Sequence, residues 1–264
     1  MQIYSKDNSL LRRARAVRDG KADDAIFIEG LRLCEEALSS DLKIEAAIYS
    51  QELAGKARAA DLMKQLKSAA TSAVVSEKLL ASISYTKTPQ GVVVLAERPS
   101  HDEESFAKHQ PRTPFLVILH ETNNPVNVGA IIRTAEAAGV TGIITTARTS
   151  DPFSPKSLRG AMGSAFRLPV WTGVKFDAVM AWCGAKNIRT ICADATGGEL
   201  YTDVDWSESI ALLVGPESTG LSAAEIAAAG TAVRIPMQGR TESLNVAVAT
   251  GIILYQAARQ RMQK

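Results

Sequence analysis

Short apolar runs alternate with helical patterns along the second half of the chain. The runs predict buried strands over Phe115 to Leu119, Gly142 to Thr146, Ile188 to Ala193, Ile210 to Val214 and Ala232 to Ile235. Helical spacing is found over Val128 to Ala138, Phe176 to Lys186, Ala223 to Ala229 and Asn245 to Arg261. This alternation predicts an α/β fold with a largely parallel sheet covered by helices on both faces.

The first hundred residues alternate in the same way, but less regularly. Helix-like stretches lie at Leu10 to Val17, Gly30 to Leu38 and Lys56 to Lys67. Short apolar runs lie at Ala25 to Ile28, Ile44 to Tyr49 and Val92 to Leu95. These patterns indicate a second, smaller α/β domain.

A polar segment separates the two halves. It contains Pro99, Pro111 and Pro114 and has no hydrophobic period, which is typical of an interdomain linker. A chain of 264 residues also exceeds the usual size of one domain. We therefore predict an N-terminal domain over residues 1–98, a linker over 99–114 and a C-terminal domain over 115–264.

The composition is that of an ordinary globular protein, with 46% hydrophobic and 22% charged residues. The chain has neither a signal-peptide pattern nor an apolar run long enough to span a bilayer, so we expect a soluble, cytoplasmic protein without a membrane partner. Cys34, Cys183 and Cys192 are odd in number and lack CxxC spacing, which indicates buried, reduced thiols.

Charge alone does not identify a partner, because the net charge is only +2. Four basic residues are candidates for contact with the phosphates of a nucleic acid, or else ordinary surface charges: Arg12, Arg13, Lys156 and Arg159. No metal site is expected, because the three histidines lack ligand spacing with cysteines or carboxylates.

The loop after the strand at Phe115 to Leu119 leads into a helix of small and apolar residues. Asn127 is a plausible N-cap of this helix. Arg133 is the unusual residue, because a guanidinium among apolar neighbours needs an anionic partner. That partner is either a structural carboxylate, such as Glu136 or Glu217, or a functional anion.

The dinucleotide fingerprint GxGxxG is absent, which removes the main support for a nucleotide-dependent oxidoreductase.

Two further segments follow later strands. The strand ending at Val214 breaks into a loop that holds a single carboxylate, Glu217, between Gly215 and Gly220, before a helix that Ser222 is expected to cap.

After the last strand, Ser243 or Asn245 opens a long helix of small residues. Ile235, Met237 and Leu244 form an apolar rim that suits an adenine ring, although ordinary core packing would explain the same residues.

Taken together, the motifs NxGAxxRTAxAxG, LVGPExxGLS and RIPMxGxxxSLNVAVA resemble the three signature motifs of the SpoU/TrmH family of RNA 2′-O-ribose methyltransferases, in the SPOUT superfamily. The resemblance extends from about Phe115 to Lys264. The leading region, through Phe27 to Ala37, is similar to the ribosomal-protein-like substrate-binding domain of many members. Asn124 departs from the family pattern, because many relatives have an acid before the proline.

The resemblance implies a homodimer whose C-terminal domain is a trefoil-knotted SPOUT fold that binds S-adenosylmethionine at the knot, with the site completed near the subunit interface. The matching catalytic positions are Asn127, Arg133, Glu217, Ser243 and Asn245. Those that would hold the cofactor are Gly215, Ile235, Met237 and Leu244.

The implied reaction is methyl transfer to a ribose 2′-hydroxyl in structured RNA. Ribosomal RNA is the favoured substrate and transfer RNA is the alternative. A third hypothesis is an RNA-binding module that retains the fold but has lost the chemistry.

Overall fold

The computed structural model describes residues 1–55 and 59–263. The chain divides into two compact units: unit 1 comprises Met1–Pro99 and Phe153–Arg167, and unit 2 comprises Ser100–Pro152 and Leu168–Lys264. None of the helices described in these ranges combines the length and the apolar character needed to cross a bilayer.

The first hundred residues contain five helices and four strands among those described. The helices are α1 (Ser9–Arg18), α2 (Leu31–Leu38), α3 (Gln51–Ala54), α4 (Ala60–Ala69) and α5 (Glu77–Ile83). The strands are β1 (Ala25–Glu29), β2 (Ile44–Ser50), β3 (Thr71–Val75) and β4 (Val92–Glu97). The helix predicted over Lys56 to Lys67 corresponds to α4, and its residues 56–58 lie outside the described part of the chain.

The remaining elements follow in chain order. The helices are α6 (Glu103–Lys108), α7 (Pro125–Ala137), α8 (Pro155–Ala161), α9 (Ser164–Arg167), α10 (Phe176–Ala185), α11 (Ala223–Ala229) and α12 (Val246–Arg261). The strands are β5 (Phe115–Leu119), β6 (Gly142–Thr146), β7 (Val170–Val174), β8 (Arg189–Ala193), β9 (Glu199–Leu200), β10 (Ile210–Val214) and β11 (Thr231–Arg234).

Unit 1 is built on a four-stranded sheet in the order β1-β4-β2-β3. Strand β4 is antiparallel to β1 and β2, whereas β2 and β3 are parallel. Helices α1 and α5 contribute Leu11 and Leu80 to a core that also contains Phe27 and Ile48. This is the smaller α/β domain that the sequence predicts.

Helices α8 and α9 belong to unit 1, although their sequence lies within the C-terminal half. Leu158 and Ala161 of α8 are buried, and α8 packs on β1. Arg167 Nη1 forms an ion pair of 2.5 Å with Glu36 Oε2 of α2, 131 positions away in sequence. Unit 1 therefore includes the segment Phe153–Arg167, whereas the predicted N-terminal domain is continuous over residues 1–98.

Unit 2 contains a seven-stranded sheet in the order β7-β6-β5-β10-β8-β11-β9, and every pair is parallel. All residues of the central strands β5 and β10 are buried, as expected where helices cover both faces. The parallel α/β prediction is confirmed. The carboxyl ends of these strands share one edge, where such sheets bind ligands.

The predicted linker over 99–114 instead contributes a helix to unit 2. Phe106 of α6 is fully buried, and its ring centroid lies 5.9 Å from that of Trp171 and 5.8 Å from that of Trp182. One buried aromatic ring docks a helix of six residues, which is too short to show a hydrophobic period. The prolines therefore flank a packed element.

Cys34, Cys183 and Cys192 are buried, and none forms a disulfide. Burial raises the pKa of the Cys183 thiol to about 11. The pKa of Cys192 is also about 11, raised by burial and by the nearby Asp194 carboxylate. These two thiols are therefore protonated at neutral pH, and the burial of all three cysteines agrees with the prediction of buried, reduced thiols.

Candidate active site

A cavity of about 500 Å³ lies in unit 2, where the segments following β8, β10 and β11 meet the start of α12. Seven of the residues singled out in the sequence line it: Gly215, Glu217, Ile235, Met237, Ser243, Leu244 and Asn245. The structure thus brings the second and third motifs together around one space. This volume is in the range of pockets for small-molecule ligands, roughly 300–1,000 Å³.

Gly215 shapes one wall of the cavity. A β-carbon at this position would lie 2.7 Å from Cγ of Leu221, closer than van der Waals contact permits. Leu221 is buried and also lines the cavity. Ser222, the next residue, caps α11 as predicted, in a capping box with Glu225. The packing of Leu221 and the cap at Ser222 thereby fix the end of the loop between β10 and α11. Glu217 is exposed in the turn within this loop.

The opposite wall comes from the segment between β11 and α12. Ile235, Met237 and Leu244 are each partly buried and line the cavity, as an apolar rim for a flat ring would. Of the two predicted caps of α12, the structure selects Asn245, whose Oδ1 accepts hydrogen bonds from the backbone nitrogens of Ala247 and Val248. Ser243 lies in the exposed, irregular segment before it.

The prediction that Asn127 caps α7 is wrong. The helix begins at Pro125, and Asn124 caps it by accepting a hydrogen bond of 3.0 Å from the nitrogen of Val126. Proline suits a first helical position and Asn an N-cap, so the cap lies three residues earlier. An aspartate at position 124 would cap equally well.

Asn127 is instead buried in the first turn of α7. Its Oδ1 accepts a hydrogen bond of 3.3 Å from Nδ2 of Asn245. Its own Nδ2 has no hydrogen-bond partner among the described atoms, although it is buried. A buried donor left without a partner costs about 1–3 kcal/mol, so this nitrogen is a candidate for contact with a bound molecule.

Arg133 lies on the same helix but is exposed, and it is not among the described residues that line the cavity. No ion pair or hydrogen bond engages its guanidinium within the ranges that the structure describes. A salt bridge with Glu136 or Glu217, the structural alternative raised from the sequence, is therefore not formed. The cation is available to an external anion.

His120 and Glu225 form a contact that the sequence patterns did not predict. His120 follows β5 and is 4% exposed; its Nδ1 lies 3.0 Å from Oγ1 of Thr146, and its Nε2 lies 2.8 Å from Oε1 of Glu225. Burial raises the pKa of Glu225, but hydrogen bonds from Ser222 and His120 outweigh this and hold the pKa below its usual value. The carboxylate therefore joins the end of β5 to the start of α11.

Asp194 was also missed. It is the first residue after β8, and it lines the cavity. In parallel sheets ligand-binding residues follow the ends of the strands, and this rule points to Asp194 because the predicted strand ends at Ala193. Asp194 was not singled out because it is a single acid in a short loop and belongs to none of the three motifs.

The four predicted RNA contacts all lie in unit 1. Arg13 bonds the carboxylates of Asp24 and Glu45, and these hydrogen bonds raise its pKa. Arg12 is exposed on the same helix, and Lys156 and Arg159 are exposed on α8. Three of the four cations are therefore exposed to solvent, whereas Arg13 is committed to internal pairs.

Comparison with known proteins gives a match over each half of the chain. Residues 114–255 match the SpoU rRNA Methylase family, and residues 10–94 match the MRM3-like substrate binding domain. The first match alone spans more than half of the 264 residues.

Similar proteins align over nearly the full length. The 23S rRNA (guanosine(2553)-2′-O)-methyltransferase RlmP of Bacillus subtilis (strain 168) is 30% identical over 257 residues, covering 96% of this chain and 98% of the relative. The 23S rRNA (uridine(2479)-2′-O)-methyltransferase of Streptomyces viridochromogenes is 30% identical over 242 residues, covering 89% and 83%. An AdoMet-bound rRNA methyltransferase from Sinorhizobium meliloti superposes with a TM-score of 0.84 at 31% identity, covering 98% and 97%.

The region that matches the methylase family contains the residues that line the cavity, together with Asn127 and Arg133, and the similar structure covers 98% of the chain. The resemblance inferred from three short motifs is therefore confirmed. This chain belongs to the SpoU rRNA methylase family.

Proposed function

We propose that this protein transfers a methyl group from S-adenosylmethionine to the ribose 2′-hydroxyl of a nucleotide in ribosomal RNA. The observation that carries the proposal is the cavity formed by the second and third motifs at the carboxyl edge of the parallel sheet. It is supported by the relatives, of which two are named as 23S rRNA 2′-O-methyltransferases and a third was crystallised with AdoMet.

The residues around the cavity fit this cofactor. The cavity, with a volume of about 500 Å³, accommodates a nucleoside that carries an amino-acid arm. Gly215 lets Leu221 pack directly against the backbone of the cavity wall, since a β-carbon there would collide with Leu221. The apolar rim of Ile235, Met237 and Leu244 suits the faces of adenine, whose polar edge can bond to exposed backbone groups. When bound, the cofactor supplies a methyl group on a sulfonium that is already activated for transfer.

The protein's own contribution is alignment and polarisation. Arginine stays protonated in proteins, so Arg133 is not assigned the role of a base. We assign it to the phosphate of the target nucleotide and to polarisation of the 2′-hydroxyl. Asn127 and Asn245 position the reacting end through their mutual hydrogen bond, and Asn127 Nδ2 is a spare donor there. Glu217 and Ser243 are exposed at the mouth of the cavity, where they can orient the nucleotide.

A homodimer would explain why Arg133 is exposed. On α7, Val126 lies seven positions before Arg133 and is 47% exposed; on α12, Val248 and Tyr255 are also seven positions apart and are 52% and 56% exposed. Residues at this spacing share a helix face, and α7 packs against α12. A second copy covering these apolar side chains would bring Arg133 of one protomer towards the cavity of its partner.

The N-terminal unit would bind structured RNA and present one nucleotide to the site. Arg12, Lys156 and Arg159 are its proposed phosphate contacts, and Arg13 is the weaker candidate because it is paired internally. The two named relatives modify a guanosine and a uridine, so the base itself is not fixed by the family. The trefoil knot stays a proposal that rests on the family resemblance, and the cytoplasmic location also stays a proposal.

Methyl transfer from radiolabelled S-adenosylmethionine to transcripts of 23S rRNA, 16S rRNA and tRNA tests the proposal. We expect label in 23S rRNA, and Arg133→Ala should lose at least about 100-fold in rate, the scale of one transition-state contact. Arg112→Ala is the control, because Arg112 is an exposed arginine in the same unit. Label confined to tRNA would move the substrate to the alternative, and binding of RNA without transfer would indicate the non-catalytic module.

A further inference from the structure

Asp194 occupies a distinctive place in the cavity. It directly follows β8, the strand that lies between β10 and β11 in the sheet. The wall after β11 carries the apolar rim, whereas the wall after β10 carries Gly215 and Glu217. Asp194 therefore lies between the wall that carries the apolar rim and the wall that carries Gly215 and Glu217.

One carboxylate oxygen of Asp194 is used internally. Its Oδ1 accepts hydrogen bonds of 2.8 Å from the backbone nitrogen of Thr196 and 2.6 Å from its hydroxyl. Oδ2 has no hydrogen bond among the described atoms. The internal bonds hold the side chain in one orientation and leave one acceptor oxygen available.

The loop that carries Asp194 is fixed to the sheet. The backbone nitrogen of Asp194 donates to the carbonyl of Val233 over 3.0 Å. Arg234 Nη1 donates to the carbonyls of Gly197 and Gly198 over 2.6 and 2.8 Å. A β-carbon at Gly197 would lie 2.8 Å from the carbonyl oxygen of Ala232, so only glycine permits this approach. Asp194 is thus preorganised, which reduces the entropic cost of binding.

We infer that the Asp194 carboxylate binds the ribose diol of the cofactor, with Oδ2 accepting a hydrogen bond from a ribose hydroxyl. A carboxylate at the end of a parallel strand is well suited to this, because hydroxyl hydrogens are the donors that a nucleoside presents between its base and its 5′ substituent. The inference rests on the proposed function, since it takes the cavity to be the cofactor site.

Calorimetric titration with S-adenosylhomocysteine and S-adenosylmethionine tests it without any need for turnover. Asp194→Asn should weaken binding of both ligands by about 10- to 100-fold, because a hydrogen bond to a charged group is lost. Asp203→Asn is the matched control, because Asp203 is an exposed acid in the same unit outside the cavity. Thermal unfolding without ligand checks the fold of each variant, and Asp194→Glu, which keeps the charge but displaces it, replaces a variant that does not fold.

Ribose-deoxy analogues of S-adenosylhomocysteine, lacking the 2′- or the 3′-hydroxyl, complete the test. Wild type should lose affinity for at least one analogue, whereas Asp194→Asn should show no further loss with that analogue, because the two changes remove the same contact. Unchanged binding by Asp194→Asn would overturn the inference. A loss confined to S-adenosylmethionine would overturn it too, since the carboxylate would then serve the sulfonium charge. Binding of S-adenosylhomocysteine by wild type reports separately on the proposed cofactor site.

Discussion

The Nδ2 nitrogen of Asn245 donates a hydrogen bond to Oδ1 of Asn127 over 3.3 Å, which joins the N-terminus of α12 to the first turn of α7. Asn245 Oδ1 is occupied by the cap of α12, so its amide cannot turn around. Asn127 must therefore present its oxygen to Asn245, and its Nδ2 points elsewhere without a partner among the described atoms. The helix cap thus determines which way a buried amide faces.

This relationship predicts different outcomes for two substitutions of Asn245. Asn245→Ala should lower the free energy of unfolding by about 1 kcal/mol, because α12 loses its N-cap. Asn245→Asp keeps a capping oxygen, so its stability should stay near wild type. Its second oxygen would face Asn127 Oδ1 and force that amide to turn, so methyl transfer should fall. Urea unfolding and transfer rates measure the two effects. An Asn245→Asp protein with wild-type turnover would show that the orientation of Asn127 is not used.

Gly215 and Gly184 form a second matched pair. Gly215→Ala should weaken binding of S-adenosylhomocysteine by about tenfold, since forced repacking of Leu221 costs about 1–3 kcal/mol. Gly184 lies near the end of α10, and no described atom beyond its chain neighbours and its own helix backbone lies within 4 Å of the position of its missing β-carbon. Gly184→Ala should therefore stabilise the protein by about 0.5–1 kcal/mol and leave ligand affinity unchanged. Equal affinities of both variants by calorimetry would contradict the role assigned to Gly215.

The hydrogen bonds that Glu225 accepts from Ser222 and His120 predict a pH-dependent contribution to stability. The pKa of Glu225 is held below its ordinary value of 4.5 in the folded protein. Its ionised form therefore stabilises the fold above about pH 4.5, and that contribution is lost as the pH falls through the lower folded pKa. Glu225→Gln should be less stable than wild type at pH 7, and the difference should shrink in acid. Unfolding curves from pH 7 to pH 3 test this, with Glu199→Gln, on the exposed end strand, as the charge-matched control. A difference that grows in acid would be inconsistent with it.

The exposed position of Arg133 predicts complementation between two inactive variants. Arg133→Ala keeps the cavity, whereas Gly215→Phe fills the cavity but keeps the arginine. If the site is shared across a two-fold interface, each mixed dimer has one intact site, and an equimolar mixture should recover about one quarter of wild-type activity. Purified mixed dimers with differently tagged subunits provide the sharper measurement. No recovery in folded mixed dimers would place Arg133 and the cavity in the same protomer.

Strands with continuous apolar runs were predictable from the sequence. The bounds of β5, β6 and β10 agree with prediction, because strands covered on both faces have no alternation to obscure them. Strand β7 was missed, since only Val170 and Trp171 are buried in it and the following Thr172 and Gly173 are exposed. Its sequence lacks the continuous signal that the central strands have.

Contacts between distant parts of the chain were not predictable. Arg167 and Glu36 are 131 positions apart, and His120 and Glu225 are 105 apart, so neither pair has a spacing that a motif could record. The residues that line the cavity were predicted largely from the family motifs, in which Gly215, Leu244 and Asn245 occupy defined positions. Asp194 lies outside those motifs, and only the folded sheet places it beside them.

The most direct test of the account is the chemical identity of the methylated nucleoside. Labelled 23S rRNA, digested to nucleosides and separated with mass detection, should yield a single 2′-O-methylnucleoside, and the modified linkage should resist alkaline hydrolysis because its 2′-hydroxyl is blocked. Label on a base, or a modified linkage that alkali cleaves, would contradict methyl transfer to the ribose.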